Sequence, residues 1–208
     1  MKMFGYHPFG PNLRVLLLFF TCLVLSPANA FADTAPAIGT FKDWNDLDQV
    51  EIKQLFKLSD YATIIVQPFD TANIKLPAKE DNTFEPVQEA QAQFNALFLK
   101  KIQEEFSPIP VDATGKADKS NMLLVRGELI EIEPGSKAAR YFAGFGAGHA
   151  RVGIHCEIVD AKTGSVLAEM THTRASSGGA FGGSYEKLLH NLTEEVGDDV
   201  VTLVKQFK

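Results

Sequence analysis

The chain has 208 residues, with 26 acidic side chains against 20 basic ones and a formal net charge of −6 at pH 7. That balance argues against binding nucleic acid or anionic lipid through bulk charge. Two cysteines, Cys22 and Cys156, exclude a multi-disulfide scaffold, so a folded domain here must rest on its own apolar core.

Taken in order, residues 1–30 read as a secretory signal peptide. Lys2 and Arg14 are their only charged residues, Val15 to Leu25 is an apolar run, and Pro27 with Ala28-Asn29-Ala30 supplies a helix break and an A-x-A cleavage site. The run falls short of the roughly 20 apolar residues that a membrane-spanning helix needs, so no stable span is expected after cleavage. The expected location is the periplasm or cell envelope, or outside the cell. The cleaved chain would keep one cysteine, Cys156, and a net charge of about −8, since Lys2 and Arg14 leave and no acid does.

Residues 31–45 have little periodicity and contain Pro36 and Gly39, which reads as a flexible linker ahead of an α/β domain spanning 46–208. Val50 to Gln54 is expected as an edge strand. Tyr61 to Phe69, with Ile64-Ile65-Val66 at its centre, has the continuous β-branched character of a strand covered on both faces. Pro86 then suits the first turn of a helix. Val87, Ala90, Phe94, Leu97, Phe98, Ile102 and Phe106 recur at spacings of three and four, with Gln88, Gln91, Gln93, Lys101 and Glu105 opposite, so an amphipathic helix lies on a sheet. Its aromatic residues read as core. Pro108 and Pro110 stop it. Met122 to Glu131 is apolar on both sides of Gly127, which predicts a central strand with a bulge or a close backbone approach at that glycine.

Residues 134–149 are a glycine-rich crossing with Gly144, Gly146 and Gly148 at alternate positions. A dinucleotide fingerprint would need a helix next. Instead Arg151 to Val159 alternates as a strand, with Val152, Ile154, Cys156 and Ile158 on one face. Asp160-Ala161-Lys162-Thr163-Gly164 predicts a turn in which the Asp160 carboxylate accepts nearby amide hydrogens and Gly164 takes a left-handed conformation. The return strand, Ser165 to Thr173, sets Val166, Ala168, Met170 and His172 across from the first row. A second glycine-rich loop runs from Ser176 to Ser184, and Ser184 is placed to cap a final helix. That helix carries its apolar stripe on Tyr185, Leu188, Leu192, Val196, Val200, Leu203 and Phe207.

The fold class expected from these elements is α/β in the broad sense, more strictly α+β: a single domain with a mixed or mostly antiparallel sheet packed by two long amphipathic helices. If the segments 122–131, 151–159 and 165–173 alternate in direction, both glycine loops leave one end of the sheet. Arg140, Tyr141, Phe142, Gly144, Phe145, Gly146, Gly148, Phe181 and Gly182 then form a candidate contact surface. The competing expectation is that Phe145 and Phe181 fold back as plugs over the sheet end.

No G-x-S-x-G, H-E-x-x-H or paired-cysteine motif is present, so no catalytic residues, cofactor or metal are expected, and the chain reads as non-enzymatic. An alternative is a metal-binding protein or hydrolase using His149, His155 or His172. Against it, His155 and Cys156 are neighbours in a strand and point to opposite faces. Cys156 reads as a buried small apolar residue. A further alternative is a carrier of a small apolar ligand held between helix and sheet.

The run Arg140-Tyr-Phe-Ala-Gly-Phe-Gly-Ala-Gly148, the strand after it and Asp160-Ala-Lys-Thr-Gly164 resemble a family of uncharacterised bacterial exported proteins, often lipid-anchored and grouped as a domain of unknown function. The likeness covers roughly residues 46 to 207. More distantly the chain resembles the small α/β domains of the curli secretion lipoprotein and of the amino-terminal part of the Tol system's periplasmic protein. The resemblance implies an envelope assembly or scaffolding role, with an envelope protein or a second copy as partner and no chemistry attached. This chain departs from it in lacking a lipid-attachment pattern: Phe19-Phe20-Thr21 precedes Cys22, which lies inside the apolar run.

Overall fold

The computed structural model describes residues 36–107, 111–112, 121–136, 148–176 and 184–208. Every described residue belongs to one compact unit, Asp33–Lys208. In order, the elements are β1 (Gly39–Trp44), β2 (Leu47–Ile52), β3 (Thr63–Val66), α1 (Phe84–Glu105), β4 (Val111–Asp112), β5 (Met122–Glu133), β6 (Arg151–Asp160), β7 (Val166–Ala175) and α2 (Tyr185–Lys205).

Among the described residues the strands form one seven-stranded sheet in the order β1-β2-β7-β6-β5-β3-β4. It is mixed. β3 runs parallel to β4 and β5, because the long connection through α1 returns the chain in the same direction, and the other neighbours are antiparallel. The architecture is α+β, as the order of elements predicts.

The core lies between the helices and one face of β5, β6 and β7. Val125, Leu129, Ile154, Cys156, Ile158, Ala168 and Met170 share a single buried cluster with Phe94, Phe98 and Ile102 of α1 and with Leu189, Val196, Val200 and Leu203 of α2. The two helices also pack on each other. Gly197 lets them close up, since a Cβ there would stand 3.1 Å from Cβ and Cγ of Lys101. Ion pairs from Lys101 to Asp198 and from Lys205 to Glu105, both at 3.2 Å, join the carboxyl-terminal halves, so the helices run side by side in the same sense.

Polar side chains of α1 hold the chain that leads into it. The Asn95 carboxamide accepts the Phe69 amide at 2.7 Å and donates to the Phe69 carbonyl at 3.1 Å, and Gln91 donates to the Thr71 carbonyl at 2.6 Å. Gly127 makes the close approach expected of it. A Cβ there would meet the His155 carbonyl at 2.1 Å and the Phe69 ring at 2.8 Å.

Several boundaries differ from the sequence reading. Residues 39–44, placed above in the linker, form the outermost strand, because β1 pairs with β2 along its length. The predicted edge strand at 50–54 is instead β2, two or three residues earlier and interior, between β1 and β7. The bulge in β5 falls between Leu129 and Glu131, not at Gly127. A second irregularity, after Ile158, moves Val166 opposite Val159, so the paired apolar row is Ile154–His172, Cys156–Met170 and Ile158–Ala168. In α2 the fully buried residue of the second turn is Leu189, with Leu188 only packed against the core.

The β6–β7 turn works by the predicted mechanism. Asp160 Oδ1 accepts from the Thr163 amide at 2.7 Å and its hydroxyl at 3.0 Å, Asp160 Oδ2 accepts from Tyr61 at 3.1 Å, and Gly164 is left-handed at φ +74°. The Thr163 amide holds the Asp160 carboxyl below the usual carboxylate range against the opposing effect of burial, with help from the Thr163 and Tyr61 hydroxyls. Burial, then the hydrogen bond to Asp160, pushes the Tyr61 phenol up to about 12.

Two stability measurements check this account. Replacing Asn95 by Ala strands both Phe69 backbone groups and should lower stability by about 1–3 kcal/mol, read as a shift in urea midpoint at unchanged m. A depressed folded-state pKa contributes stability above the unfolded aspartate value near 3.9 and loses it as pH falls further. Asp160→Asn should therefore be less stable than the parent at pH 7, and the difference should shrink as pH drops below about 4.

Candidate functional site

Strand register decides what gathers at one rim of the sheet. Glu133 of β5 lies opposite Arg151 of β6, and Arg151 opposite Ala175 of β7, so the 134–150 crossing and the connection after Ala175 leave from adjacent strand ends. A cleft of about 490 Å³ opens there, lined by Lys75, Asp81, Thr83, Glu133, Ser136 and Tyr185 among others. The entry to α1, the end of β5 and the start of α2 therefore share this rim. Ser184 caps α2 as predicted, its Oγ accepting the Lys187 amide at 3.3 Å.

Two backbone closures form the necks of these connections. The Ser136 amide donates to the Gly148 carbonyl at 3.1 Å, between Gly135 at φ +71° and Gly148 at φ +77°. A Cβ on Gly135 would stand 2.3 Å from that carbonyl oxygen, so the crossing closes here only with glycine. Beside it, the Ser176 amide donates to the Ala150 carbonyl at 2.8 Å while the buried Ser176 Oγ accepts the Ala150 amide at 3.1 Å. Of the predicted contact residues, Gly148 sits in the first neck. Arg140, Tyr141, Phe142, Gly144, Phe145, Gly146, Phe181 and Gly182 lie outside the described residues.

The histidines are not brought together. His149 is half-buried beside the first neck. His155 lies on the sheet face away from the helices, its Nδ1 3.1 Å from the Thr171 hydroxyl. His172 points to the helix side, where it is 3% exposed. Cys156 is fully buried, and burial, with a smaller push from Glu157, raises its thiol far above the ordinary value, so it behaves as an apolar residue. Among the described residues no group of three His, Cys, Asp or Glu side chains is placed to hold a metal ion.

The sheet face that carries His155 is polar. Glu51, Glu169, Glu157 and Arg126 form one cross-strand row, with Lys53 joined to Glu169 at 2.5 Å and Arg126 to Glu157 at 2.7 Å. At the end of the sheet opposite the necks lies a groove of about 920 Å³, lined by Leu55, Phe56, Lys57, Lys205 and Phe207 among others. Phe56 and Phe207 stack in its wall with centroids 4.1 Å apart.

The sequence reading missed a buried polar cluster near the rim. Asp199 of α2, 4% exposed, takes Arg174 of β7 on both carboxylate oxygens, with Nε 2.6 Å from Oδ2. His172, two residues before Arg174, brings Nε2 to 3.0 Å from Asp199 Oδ2, inside ion-pair distance but off hydrogen-bond geometry. Its Nδ1 accepts the Asp48 amide at 3.2 Å and lies 3.1 Å from Asp48 Oδ2, which accepts the Thr173 amide at 2.8 Å. Burial pushes the Asp199 carboxyl up, but Arg174 and then His172 outweigh it and leave it below the usual range. The sequence signal was Asp199 itself, a carboxylate three residues after Val196 and four before Leu203 on the apolar stripe.

Breaking the pair should show in stability. Arg174→Met leaves the Asp199 carboxylate buried without its main partner, and should cost about 1–3 kcal/mol in chemical denaturation. That is below the usual cost for a buried pair because the arginine is partly solvated.

Comparison with curated proteins gives no match. Among solved structures the chain is similar to the PelC dodecamer from Paraburkholderia phytofirmans, at 14% identity over 71% of this chain and 94% of that one, TM-score 0.43. It is also similar to protein XCC0632 from Xanthomonas campestris, at 13% identity over 69% and 84%, TM-score 0.45. A third is a putative neuraminyllactose-binding hemagglutinin homolog from Helicobacter pylori, at 7% identity over 74% and 87%, TM-score 0.33. Likenesses at this level carry no functional statement. The model of the domain of unknown function DUF4410 matches residues 64–180, which take in β3, α1 and the whole of β5, β6 and β7, and the chain belongs to that family.

Proposed function

We propose that this domain is a non-enzymatic module of the bacterial envelope, exported by residues 1–30, that meets an envelope protein or a second copy of itself through the rim of the sheet. The observation that carries the reading is the adjacency of the two necks. Ser136–Gly148 and Ala150–Ser176 close side by side, and each opens a segment with a phenylalanine among small residues. Contact surfaces assembled this way, from loops held by a rigid sheet, are where binding residues concentrate. The leader-like character of residues 1–30 and the likeness drawn from Arg140–Gly148 and Asp160–Gly164 support the envelope setting.

The test is a Phe145→Ser, Phe181→Ser double variant, followed by crosslinking in cells and by thermal unfolding. The expected result is loss of the crosslinked species at unchanged unfolding temperature. Unchanged crosslinking would overturn the contact surface, and an unfolding temperature lowered by several degrees would identify the phenylalanines as plugs of the core.

A further inference from the structure

The β1–β2 hairpin turns through left-handed backbone, which aspartate and asparagine take more readily than other residues with a side chain. Asp43, Asn45 and Asp46 all have positive φ, at 50°, 51° and 66°, without a glycine among them, and the buried Asn45 Nδ2 has no hydrogen-bond partner. Left-handed residues other than glycine persist when surrounding contacts hold them. Next to this turn Trp44 and Leu47 enter the core, and Asp48 joins the hairpin to β7. There the Asp48 amide and carboxylate both face His172 Nδ1, and the same carboxylate takes the Thr173 amide.

We propose that His172 is a proton-operated latch for this hairpin. With Nδ1 unprotonated, the ring accepts the Asp48 amide at 3.2 Å and its lone pair stands 3.1 Å from Asp48 Oδ2, a contact between two acceptors. A proton on Nδ1 takes the lone pair that the Asp48 amide used, so that neutral bond is given up in exchange for a charge-assisted hydrogen bond from Nδ1–H to Oδ2 of the same residue, while Nε2–H faces Asp199 at 3.0 Å. One proton thus strengthens the tie of β2 to β7 and adds a positive charge facing the Asp199 carboxylate of α2. Asp46 of the turn and Glu195 of α2 act on Arg174 of β7; Arg174 shares Asp199 of α2 with His172, and Asp48 of β2 stands within ion-pair distance of the same ring. Beneath it β6 offers only the apolar Ile154. An added proton on the ring therefore faces two carboxylates, one of them already shared with a guanidinium. The latch stands apart from the rim-contact reading, and its readout needs no partner.

Trp44 makes the latch observable, because it is the chain's single tryptophan and is buried, 7% exposed, in the same hairpin. The experiment follows acrylamide quenching of Trp44 in the full chain between pH 8 and pH 5.5, beside His172→Gln and Asp48→Asn. The quenching constant should fall about two-fold on acidification of the parent, as the hairpin closes, and stay flat in both variants. Asp48 is largely exposed, so Asp48→Asn keeps the test intact if His172→Gln does not fold. A parent whose quenching does not change with pH, or a pH response that survives in Asp48→Asn, would overturn the proposal.

Discussion

The pairing of β6 with both of its neighbours is the constraint on which the remainder of the molecule depends. Ile154, Cys156 and Ile158 reach the helices only while β6 stays in register with Leu129, Gly127 and Val125 on one side and with His172, Met170 and Ala168 on the other. A slip of one residue would turn His155 and Glu157 into the core and expose the apolar row. Two features hold the register from opposite ends. The Asp160–Thr163–Gly164 turn closes one end of β6, and the Gly135–Gly148 contact closes the other. Gly127 belongs to the same constraint, because any side chain there would collide with the β6 backbone.

The helices answer to that sheet and to each other. α1 and α2 approach where Gly197 faces the Lys101 stem, and their apolar sides converge on β5, β6 and β7. This layer is not wholly apolar. Asp199 enters it as an anion and is tolerated because Arg174 reaches it from β7 with both arms of its guanidinium and His172 stands alongside. A buried carboxylate so matched ties α2 to one position along β7, since sliding the helix by a turn would leave the charge without its partners. Polar groups here act as register marks for the helix in the way that the turn and the glycines do for the strands.

The contrast between the two faces of the sheet follows from the same arrangement. With both helices on one side, the opposite face keeps its charges in water, and its cross-strand row of Glu51, Glu169, Glu157 and Arg126 is paired through Lys53 and Arg126. His155 belongs to that solvated face and His172 to the buried one, although adjacent rows carry them. Residue type alone does not separate the two histidines; strand parity does.

Much of this was readable from local pattern. Alternation marked β6 and β7, spacings of three and four marked both helices, Asp160 to Gly164 announced its own turn, and Gly127 announced a close approach, because each of these signals depends on residues near in sequence. What local pattern missed depends on pairing and packing between elements. β1 looked like linker because its strand character comes from pairing with β2, and β2 looked like an edge because nothing nearby in sequence reveals β1 outside it. Asp48, His172, Arg174 and Asp199 are four ordinary polar residues until β2, β7 and α2 are packed together. The amino-acid order by itself determined both helices, the strands β3, β5, β6 and β7, the apolar faces of the helices and of the β6–β7 hairpin and the turn chemistry after Asp160, since these are matters of periodicity and backbone preference. Only the tertiary structure decided which strand is outermost, where the bulges fall and which charges are buried together, because those depend on how separate elements pack, in the case of β2 on β7 across more than a hundred residues.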